Sequence, residues 1–289
     1  MVCVFFWGAS FALMKISVNA LDALLAVWFR IFFGMFVLLS AALLRREFRL
    51  PRGKEWGMLL LLGAQGVVLH QNIQFVGMAS AGVANANWLM AATPGIVAVL
   101  GWAFLGERLP RSAIGGLCLA VVGVLLVLGL GNKGLGLFRL GGFGDCLIAI
   151  SAINWALLQI LSRRFVSGKP PTFVALWMNL AALALQSVLV ALFPPDYSRL
   201  PLLSRSEWAA LIFLGAVCSG LCYVFWYDGL SVMSAARVTA FQYFQPIFGV
   251  IVAYFLSGER FTPFILVGGA LILFGVWLVN RKPAKEAKT

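Results

Sequence analysis

A cluster of polar side chains, His70-Gln71-Asn72-Ile73-Gln74, interrupts a segment that is apolar on both sides. His70 and Gln74 are four residues apart, so they share one face if the segment is helical. Imidazole and amide groups donate and accept hydrogen bonds, which suits the recognition of a polar small molecule. Two alternatives stay open here: a hydrogen-bond network between helices, and proton uptake by His70.

Two other polar stretches each precede a proline inside an apolar segment, Pro94 in one and Pro246 in the other. Proline lacks a backbone N–H, so each is predicted to kink its helix and to free the carbonyl four residues earlier. A freed carbonyl needs a neighbour or water, which favours a hydrated cavity, although simple kinks in packed helices are the alternative. These stretches supply five candidate binding residues: Asn85, Trp88, Gln242, Tyr243 and Gln245.

Three residues of later apolar segments complete the candidate binding set, which also contains His70, Gln71 and Gln74. The three are Asn154, Gln159 and Tyr223. Their amide and phenol groups are predicted to form further walls of the same site, and an aromatic ring can stack on a ring-bearing or cationic molecule. Trp and Tyr near segment ends are also ordinary anchors at a membrane interface.

Three charged residues are interpreted as structural or gating residues. Arg30 lies within an apolar segment, where it either meets an anionic group of a bound molecule or extends its side chain to the segment's end. Glu107 and Glu259 each stand in a Gly-Glu-Arg tripeptide, and we interpret them as helix-end caps or ion pairs.

The residues that enzymes and metal sites require are missing or scattered. All ten acidic residues lie at or beyond the ends of apolar segments, and the chain has one His and five Cys. Paired carboxylates, a metal-ligand spacing and a Gly-x-x-x-x-Gly-Lys loop are all absent from the sequence. We therefore predict no catalytic residue, no metal and no cofactor.

The composition places the chain in a membrane. Of 289 residues, 62% are hydrophobic and 11% charged, and the mean hydropathy is +0.97. A soluble domain is about 45–50% apolar and about 25% charged. The apolar runs are continuous, which excludes a transmembrane β-barrel. The net charge is +12, and the basic residues lie between the apolar runs. At these positions they are better placed to contact lipid headgroups than nucleic acid.

The apolar runs predict an all-α integral membrane protein with ten transmembrane helices, because each spanning helix needs about 20 apolar residues. The predicted spans are 2–19, 24–44, 57–77, 82–105, 112–130, 144–165, 172–193, 208–228, 235–257 and 263–280. Fifteen basic residues fall on the side that holds both termini and six on the other. This asymmetry predicts a multi-pass protein of a bacterial inner membrane with both termini cytoplasmic.

The two halves of the chain repeat each other at a displacement of 152 residues. Pro94 falls on Pro246, Gly106-Glu107-Arg108 on Gly258-Glu259-Arg260, and three further glycines, Gly77, Gly116 and Gly123, also fall on glycines. We therefore predict two five-helix repeats, residues 1–138 and 139–289. Five is an odd number, so the second repeat enters the membrane from the opposite side. Inverted repeats of this kind are typical of alternating-access transporters with a site near the midplane.

Several motifs resemble a known family. Trp7-Gly8-Ala9-Ser10-Phe11, Trp28-Phe29-Arg30 and the duplicated Pro and Gly-Glu-Arg motifs are similar to those of the drug/metabolite transporter superfamily, in its EamA-type ten-helix branch. The resemblance implies transport of amino acids, other metabolites, nucleotides or drugs. It identifies a family rather than a substrate.

The combined prediction is a plasma-membrane secondary transporter that exports small metabolites such as amino acids. Its mechanism would be alternating access around a midplane cavity between the inverted repeats. The alternatives are an exporter of drugs or of aromatic or cationic compounds and, less favoured, a membrane-embedded enzyme acting on lipid. The expected partners are a small-molecule substrate and the bilayer, with no nucleic acid, in a monomer or homodimer.

Overall fold

The computed structural model describes residues 1–106, 110–126, 142–245, 247–248 and 263–280. Within these ranges the regular structure is helical, without a strand. Glu107, Pro246 and Glu259 lie outside the described residues, as do the side chains of Asn85 and Trp88.

The described part of the first half contains seven α-helices and one π-helical segment. They are α1 (Val2–Ala20), α2 (Ala23–Leu44), α3 (Glu55–Leu61), π1 (Leu62–Leu69), α4 (His70–Ser80), α5 (Val83–Met90), α6 (Thr93–Leu105) and α7 (Arg111–Leu125).

The second half repeats much of this order. Its elements are α8 (Phe143–Val166), α9 (Pro171–Leu192), a short 3₁₀ helix (Leu200–Leu202), α10 (Arg205–Ile212), π2 (Phe213–Leu221), α11 (Cys222–Val232), α12 (Ala235–Ala240), a 3₁₀ helix (Phe241–Phe244) and α13 (Pro263–Asn280).

Six continuous helical stretches of the described chain are long and apolar enough to span a membrane, and three shorter apolar helices accompany them. Two of these stretches begin with a side-chain cap. The Asp22 carboxylate accepts a hydrogen bond from the Leu24 amide at the start of α2, and Ser204 with Glu207 forms a capping box at the start of α10. Apolar length and capped ends together explain where these helices lie.

The segments π1 and π2 occupy matching places in the two halves. Leu62-Gly63-Ala64 begins π1, and the same tripeptide recurs 152 residues later as Leu214-Gly215-Ala216 in π2. Each glycine allows a neighbouring helix to approach closely. A Cβ on Gly63 would lie 2.6 Å from the Met178 carbonyl oxygen of α9, and one on Gly215 would lie 2.7 Å from the Arg30 carbonyl oxygen of α2. Helix α9 of the second half therefore packs closely against π1 of the first half, and helix α2 of the first half packs closely against π2 of the second.

Helices α7 and α13 cross at two glycine pairs. A Cβ on Gly116 would lie 2.5 Å from the Gly275 carbonyl oxygen, and one on Gly123 would lie 2.6 Å from that of Gly268. The order of the pairs means that the two helices run antiparallel. Small residues permit this approach, and close backbone packing stabilises helix pairs in lipid.

One basic side chain in each half caps the end of another helix. Lys15 Nζ of α1 donates hydrogen bonds to the carbonyls of Met78 (2.8 Å) and Ala79 (2.9 Å), near the end of α4. Arg163 of α8 donates to the carbonyl of Leu230 (2.9 Å), near the end of α11. A cation is favourable at a helix C-terminus, where carbonyls lack amide partners.

The fourth predicted span differs from the structure. It is not one helix over 82–105, because the chain turns at Ala91 and Ala92 between α5 and α6. Pro94 then lies in the first turn of α6, where a missing N–H costs no hydrogen bond. The corresponding place in the second half carries the 3₁₀ helix Phe241–Phe244.

Candidate functional site

A small cavity lies where elements of both halves meet, with a volume of about 40 Å³. It has room for a few waters only, far below the roughly 300–1,000 Å³ of ordinary small-molecule sites. A larger molecule therefore enters only if the surrounding helices separate. Six residues singled out from the sequence line this cavity: Arg30, His70, Gln74, Tyr223, Gln242 and Gln245.

Arg30 is a buried cation in the cavity wall, with 6% of its surface exposed. Its Nε donates to the Ser219 hydroxyl at 2.8 Å, and its Nη1 lies 3.5 Å from the Met14 sulfur. The guanidinium carbon stands 5.6 Å from the centre of the Phe75 ring. Among the described residues, neither ion pair includes Arg30. The side chain therefore stays inside the helix bundle and keeps donor capacity for an anionic group.

His70 lies beside Arg30 in the lining and is held by two contacts. Its Nδ1 is 3.1 Å from the Ser151 carbonyl oxygen, which can only accept. Nδ1 therefore carries the proton, and Nε2 of a neutral ring is left as an acceptor. The imidazole also stacks on Trp155, with ring centres 5.1 Å apart. His70 and Gln74 both belong to α4 and face the same side, as their spacing requires.

Two tryptophans from the two halves meet at the cavity. Trp7 of α1 and Trp155 of α8 are 148 residues apart, and their rings lie edge to face at 5.5 Å and 90°. The Tyr223 ring contacts both tryptophans, with its centre 6.3 Å from the ring centre of Trp7 and 6.2 Å from that of Trp155. The Trp7 indole donates to the Cys218 carbonyl at 3.0 Å, whereas the buried Trp155 indole N–H has no partner among the described residues. The lining thus combines aromatic rings with an unused donor.

The glutamines contribute unused acceptors. Gln242 and Gln245 are 2% and 3% exposed, and the side-chain oxygen of each lacks a donor in the described part of the chain. Among the described residues, Gln74 Nε2 is 3.9 Å from the Met90 sulfur. Buried amide oxygens without donors are costly, so they favour a bound molecule or water that supplies N–H or O–H groups.

Four other residues of the candidate set are buried but lie away from this cavity. Asn154 is bound to Gln65, with Nδ2 donating to its backbone carbonyl at 2.7 Å. Gln159 accepts from the Trp226 indole at 2.6 Å, and Trp226 in turn contacts Trp7 at 4.9 Å between ring centres.

The remaining two are Gln71 and Tyr243. Gln71 is fully buried, and neither of its amide atoms has a hydrogen-bond partner within 3.5 Å in the described part of the chain. Tyr243 instead lines an apolar pocket of about 450 Å³ beside α6, α7 and the turn at Ala91 and Ala92.

Six lining residues were not in the candidate binding set, although the sequence also pointed to Trp155, beside Asn154, as a supporting wall. They are Trp7, Ser10, Phe11, Met14, Met90 and Trp155. A signal for the two tryptophans was present, because Trp7 and Trp155 are separated by nearly the displacement of the repeat. The apolar members carry no chemical signal that distinguishes a cavity wall from a helix interface.

The described residues contain no group of three or more His, Cys, Asp or Glu that could hold a metal ion. Two ion pairs lie outside the bundle interior: Arg45 with Asp228 and Arg49 with Glu55, both at 2.7 Å. The hydrogen bond that the Arg45 guanidinium donates to the Asp228 carboxylate raises the pKa of Arg45. The Arg45–Asp228 pair links the end of α2 in the first half to α11 in the second half.

The family model for EamA-like transporters matches residues 1–129 and again residues 142–281. The chain belongs to the EamA-like transporter family. The two matches together cover most of the chain, one in each half. The EamA family assignment agrees with the motifs at Trp7 and Trp28 and with the helical, apolar structure.

Three relatives of this EamA-family chain carry transporter names. An uncharacterized transporter of Archaeoglobus fulgidus is 28% identical over 96% of this chain and 94% of its own. A probable terminal-alkyne amino-acid exporter of Streptantibioticus cattleyicolor is 27% identical, over 83% and 80%. An S-adenosylmethionine/S-adenosylhomocysteine transporter of Chlamydia muridarum is 26% identical, over 98% and 90%. These names indicate transporters rather than enzymes.

A crystal structure of another protein has the same fold as this EamA-family chain. The TM-score is 0.72 at 21% identity, over 96% of this chain and 95% of the other.

Proposed function

We propose that this protein is a plasma-membrane secondary transporter that exports small metabolites such as amino acids by alternating access. The observation that carries the proposal is the polar cavity between the halves. Its lining combines His70 and Gln74 of the first half with Tyr223, Gln242 and Gln245 of the second. A site built from both halves opens to either membrane face when the halves rock against each other.

The proposal includes ten transmembrane helices in two inverted five-helix repeats, residues 1–138 and 139–289. Three observations support this arrangement. The family matches each half separately, π1 and π2 occupy matching places, and α7 and α13 are antiparallel partners. In the glycine crossing, Gly116 meets Gly275 while Gly123 meets Gly268, the exchange expected across a two-fold axis.

The proposed substrate is a small zwitterion. Arg30 offers a guanidinium to a carboxylate, which it can bind through two parallel hydrogen bonds. The free oxygens of Gln242 and Gln245 offer acceptors to an ammonium group. The names of the two relatives with stated substrates agree with this chemistry, since an amino acid and S-adenosylmethionine both carry an α-amino acid group.

The proposed site residues remain those of the sequence prediction. The binding set is His70, Gln71, Gln74, Asn85, Trp88, Asn154, Gln159, Tyr223, Gln242, Tyr243 and Gln245. Pro94 and Pro246 are the proposed helix kinks, and Arg30, Glu107 and Glu259 the structural or gating residues. Asn154 and Gln159 would act through Gln65 and Trp226, which they hold by hydrogen bonds.

The proposed setting is a bacterial inner membrane with both termini in the cytoplasm. The substrate and the bilayer are the proposed partners, and the chain acts as a monomer or homodimer without a cofactor or a catalysed reaction. Export of aromatic or cationic compounds is the second candidate function. The rings of Trp7, Trp155 and Tyr223 favour it, because aromatic faces attract cations.

A counterflow experiment tests the proposal. Proteoliposomes loaded with unlabelled compound are given labelled L-phenylalanine, L-methionine, uridine or choline outside. We expect accumulation of the amino acids above protein-free liposomes. We also expect Gln242→Leu to reduce it about 10- to 100-fold, because one buried hydrogen bond to a charged group is removed. Accumulation of choline alone would support the second candidate function, and accumulation of none of the probes would contradict transport of these classes.

A further inference from the structure

Arg30 brings a permanent positive charge into the cavity wall. A guanidinium does not lose its proton in proteins. Its neighbours are a hydroxyl, a thioether and a ring, on Ser219, Met14 and Phe75. Each of these groups is neutral, so they solvate the charge but do not balance it.

The acidic residues of the described chain are all elsewhere. Each lies in a connection between helices or within a few residues of a helix end: Asp22, Glu47, Glu55, Asp145, Asp196, Glu207 and Asp228. Asp228 and Glu55 are bound to Arg45 and Arg49 in ion pairs at 2.7 Å. The cavity therefore carries a net positive charge as far as the described residues define it.

The second half adds no matching cation. At the displacement of 149 residues that relates α2 to α9, Arg30 corresponds to Asn179. Asn179 is 1% exposed, and its Nδ2 donates to the Ala175 carbonyl at 2.9 Å. The site thus holds one fixed charge, on one side of the pseudo-symmetric cavity.

An unbalanced charge makes closure of an empty cavity unfavourable. While the cavity is open to either face, water solvates Arg30. Passage between the two open states removes much of that water, and a buried ion without a counter-ion is strongly destabilising. A substrate carboxylate on the guanidinium supplies the missing charge and lowers this barrier.

We propose that Arg30 makes the protein an obligatory exchanger of carboxylate-bearing substrates, with one carboxylate carried per passage. This inference rests on the proposed transport function. The loaded carrier changes its open face quickly, and the empty carrier does so slowly. Net release of one substrate therefore requires a second carboxylate-bearing molecule to bring the carrier back.

The test is efflux from proteoliposomes that contain the purified full chain and labelled L-phenylalanine. Unlabelled L-phenylalanine added outside is expected to accelerate efflux at least about tenfold, a factor that needs a barrier difference of only about 1.4 kcal/mol. L-Phenylalaninamide, which lacks the carboxylate, is expected to leave efflux unchanged. Equal efflux with and without external L-phenylalanine would overturn the exchange mechanism and leave transport standing, whereas no efflux under either condition would overturn the proposed function.

Arg30→Gln provides the second arm. The variant removes the fixed charge, so its efflux of labelled L-phenylalanine is expected to be independent of external L-phenylalanine. Arg52→Gln, at an exposed arginine outside the cavity, is the matched control and is expected to keep the tenfold acceleration of L-phenylalanine efflux. Retention of that acceleration in Arg30→Gln would assign the exchange requirement to another residue and overturn the inference. If the variant does not fold, the wild-type comparison of external L-phenylalanine with L-phenylalaninamide still tests whether exchange requires a carboxylate.

Discussion

Replacement of Arg30 by glutamine is expected to lower the initial rate of L-phenylalanine counterflow by about 10- to 100-fold. Among the described residues, Arg30 is the cation that lines the cavity. Hydrogen bonds to charged groups contribute about 1.5–3 kcal/mol each. Arg30→Lys keeps the charge but loses the planar fork that fits a carboxylate, so we expect an intermediate rate. The measurement is labelled uptake per amount of monodisperse protein.

Two controls separate substrate binding from folding. Arg52→Gln removes an exposed arginine and is expected to leave uptake unchanged. Competition by L-phenylalaninamide should weaken much less in Arg30→Gln than competition by L-phenylalanine. Wild-type uptake in Arg30→Gln would show that the guanidinium does not meet the substrate.

Gly275→Val is expected to destabilise the protein by about 1–3 kcal/mol, the usual cost of overpacking a tight contact. The new Cβ would lie 2.5 Å from the Gly116 carbonyl oxygen and 2.8 Å from the Ala120 amide nitrogen. Because these are backbone atoms, α7 and α13 must move apart. Thermal unfolding in detergent measures the effect as a lower melting temperature.

Gly115→Val is the matched control for this substitution. Gly115 lies one residue from the contact, but a Cβ there meets nothing within 4 Å. We expect its melting temperature to stay near that of the wild type. An equal melting temperature for Gly275→Val would mean that α7 and α13 do not cross at these glycines.

The positions of most helices follow from apolar length alone. The span predicted over 24–44 is α2 at Ala23–Leu44, and the one over 144–165 is α8 at Phe143–Val166. Hydropathy locates such helices because lipid tolerates little other backbone. It does not report the type of turn, so π1, π2 and the interruption between α5 and α6 were not predicted.

The sequence locates the polar residues of the site, because burial of a polar group within a membrane is costly. It does not show which way each of these side chains points. His70 and Gln74 share one face because both lie in the α-helix α4, which begins after the end of π1. Asn154 is as polar, yet its partner is Gln65, a pairing that depends on how α8 packs against π1. Trp155 reaches the cavity through the same packing. Such contacts depend on tertiary structure rather than on local spacing.

The proposed inversion of the two repeats is tested most directly by labelling two matching positions from outside the cell. Lys54 and Arg205 are exposed, 151 residues apart, and lie at the start of α3 and α10. Each is replaced by cysteine after the exposed Cys118 and Cys146 are changed to serine. With a membrane-impermeant maleimide, we predict labelling of Arg205→Cys in intact cells and of Lys54→Cys only after permeabilisation. Labelling of both positions from the same face would contradict the inverted arrangement and the alternating-access mechanism built on it.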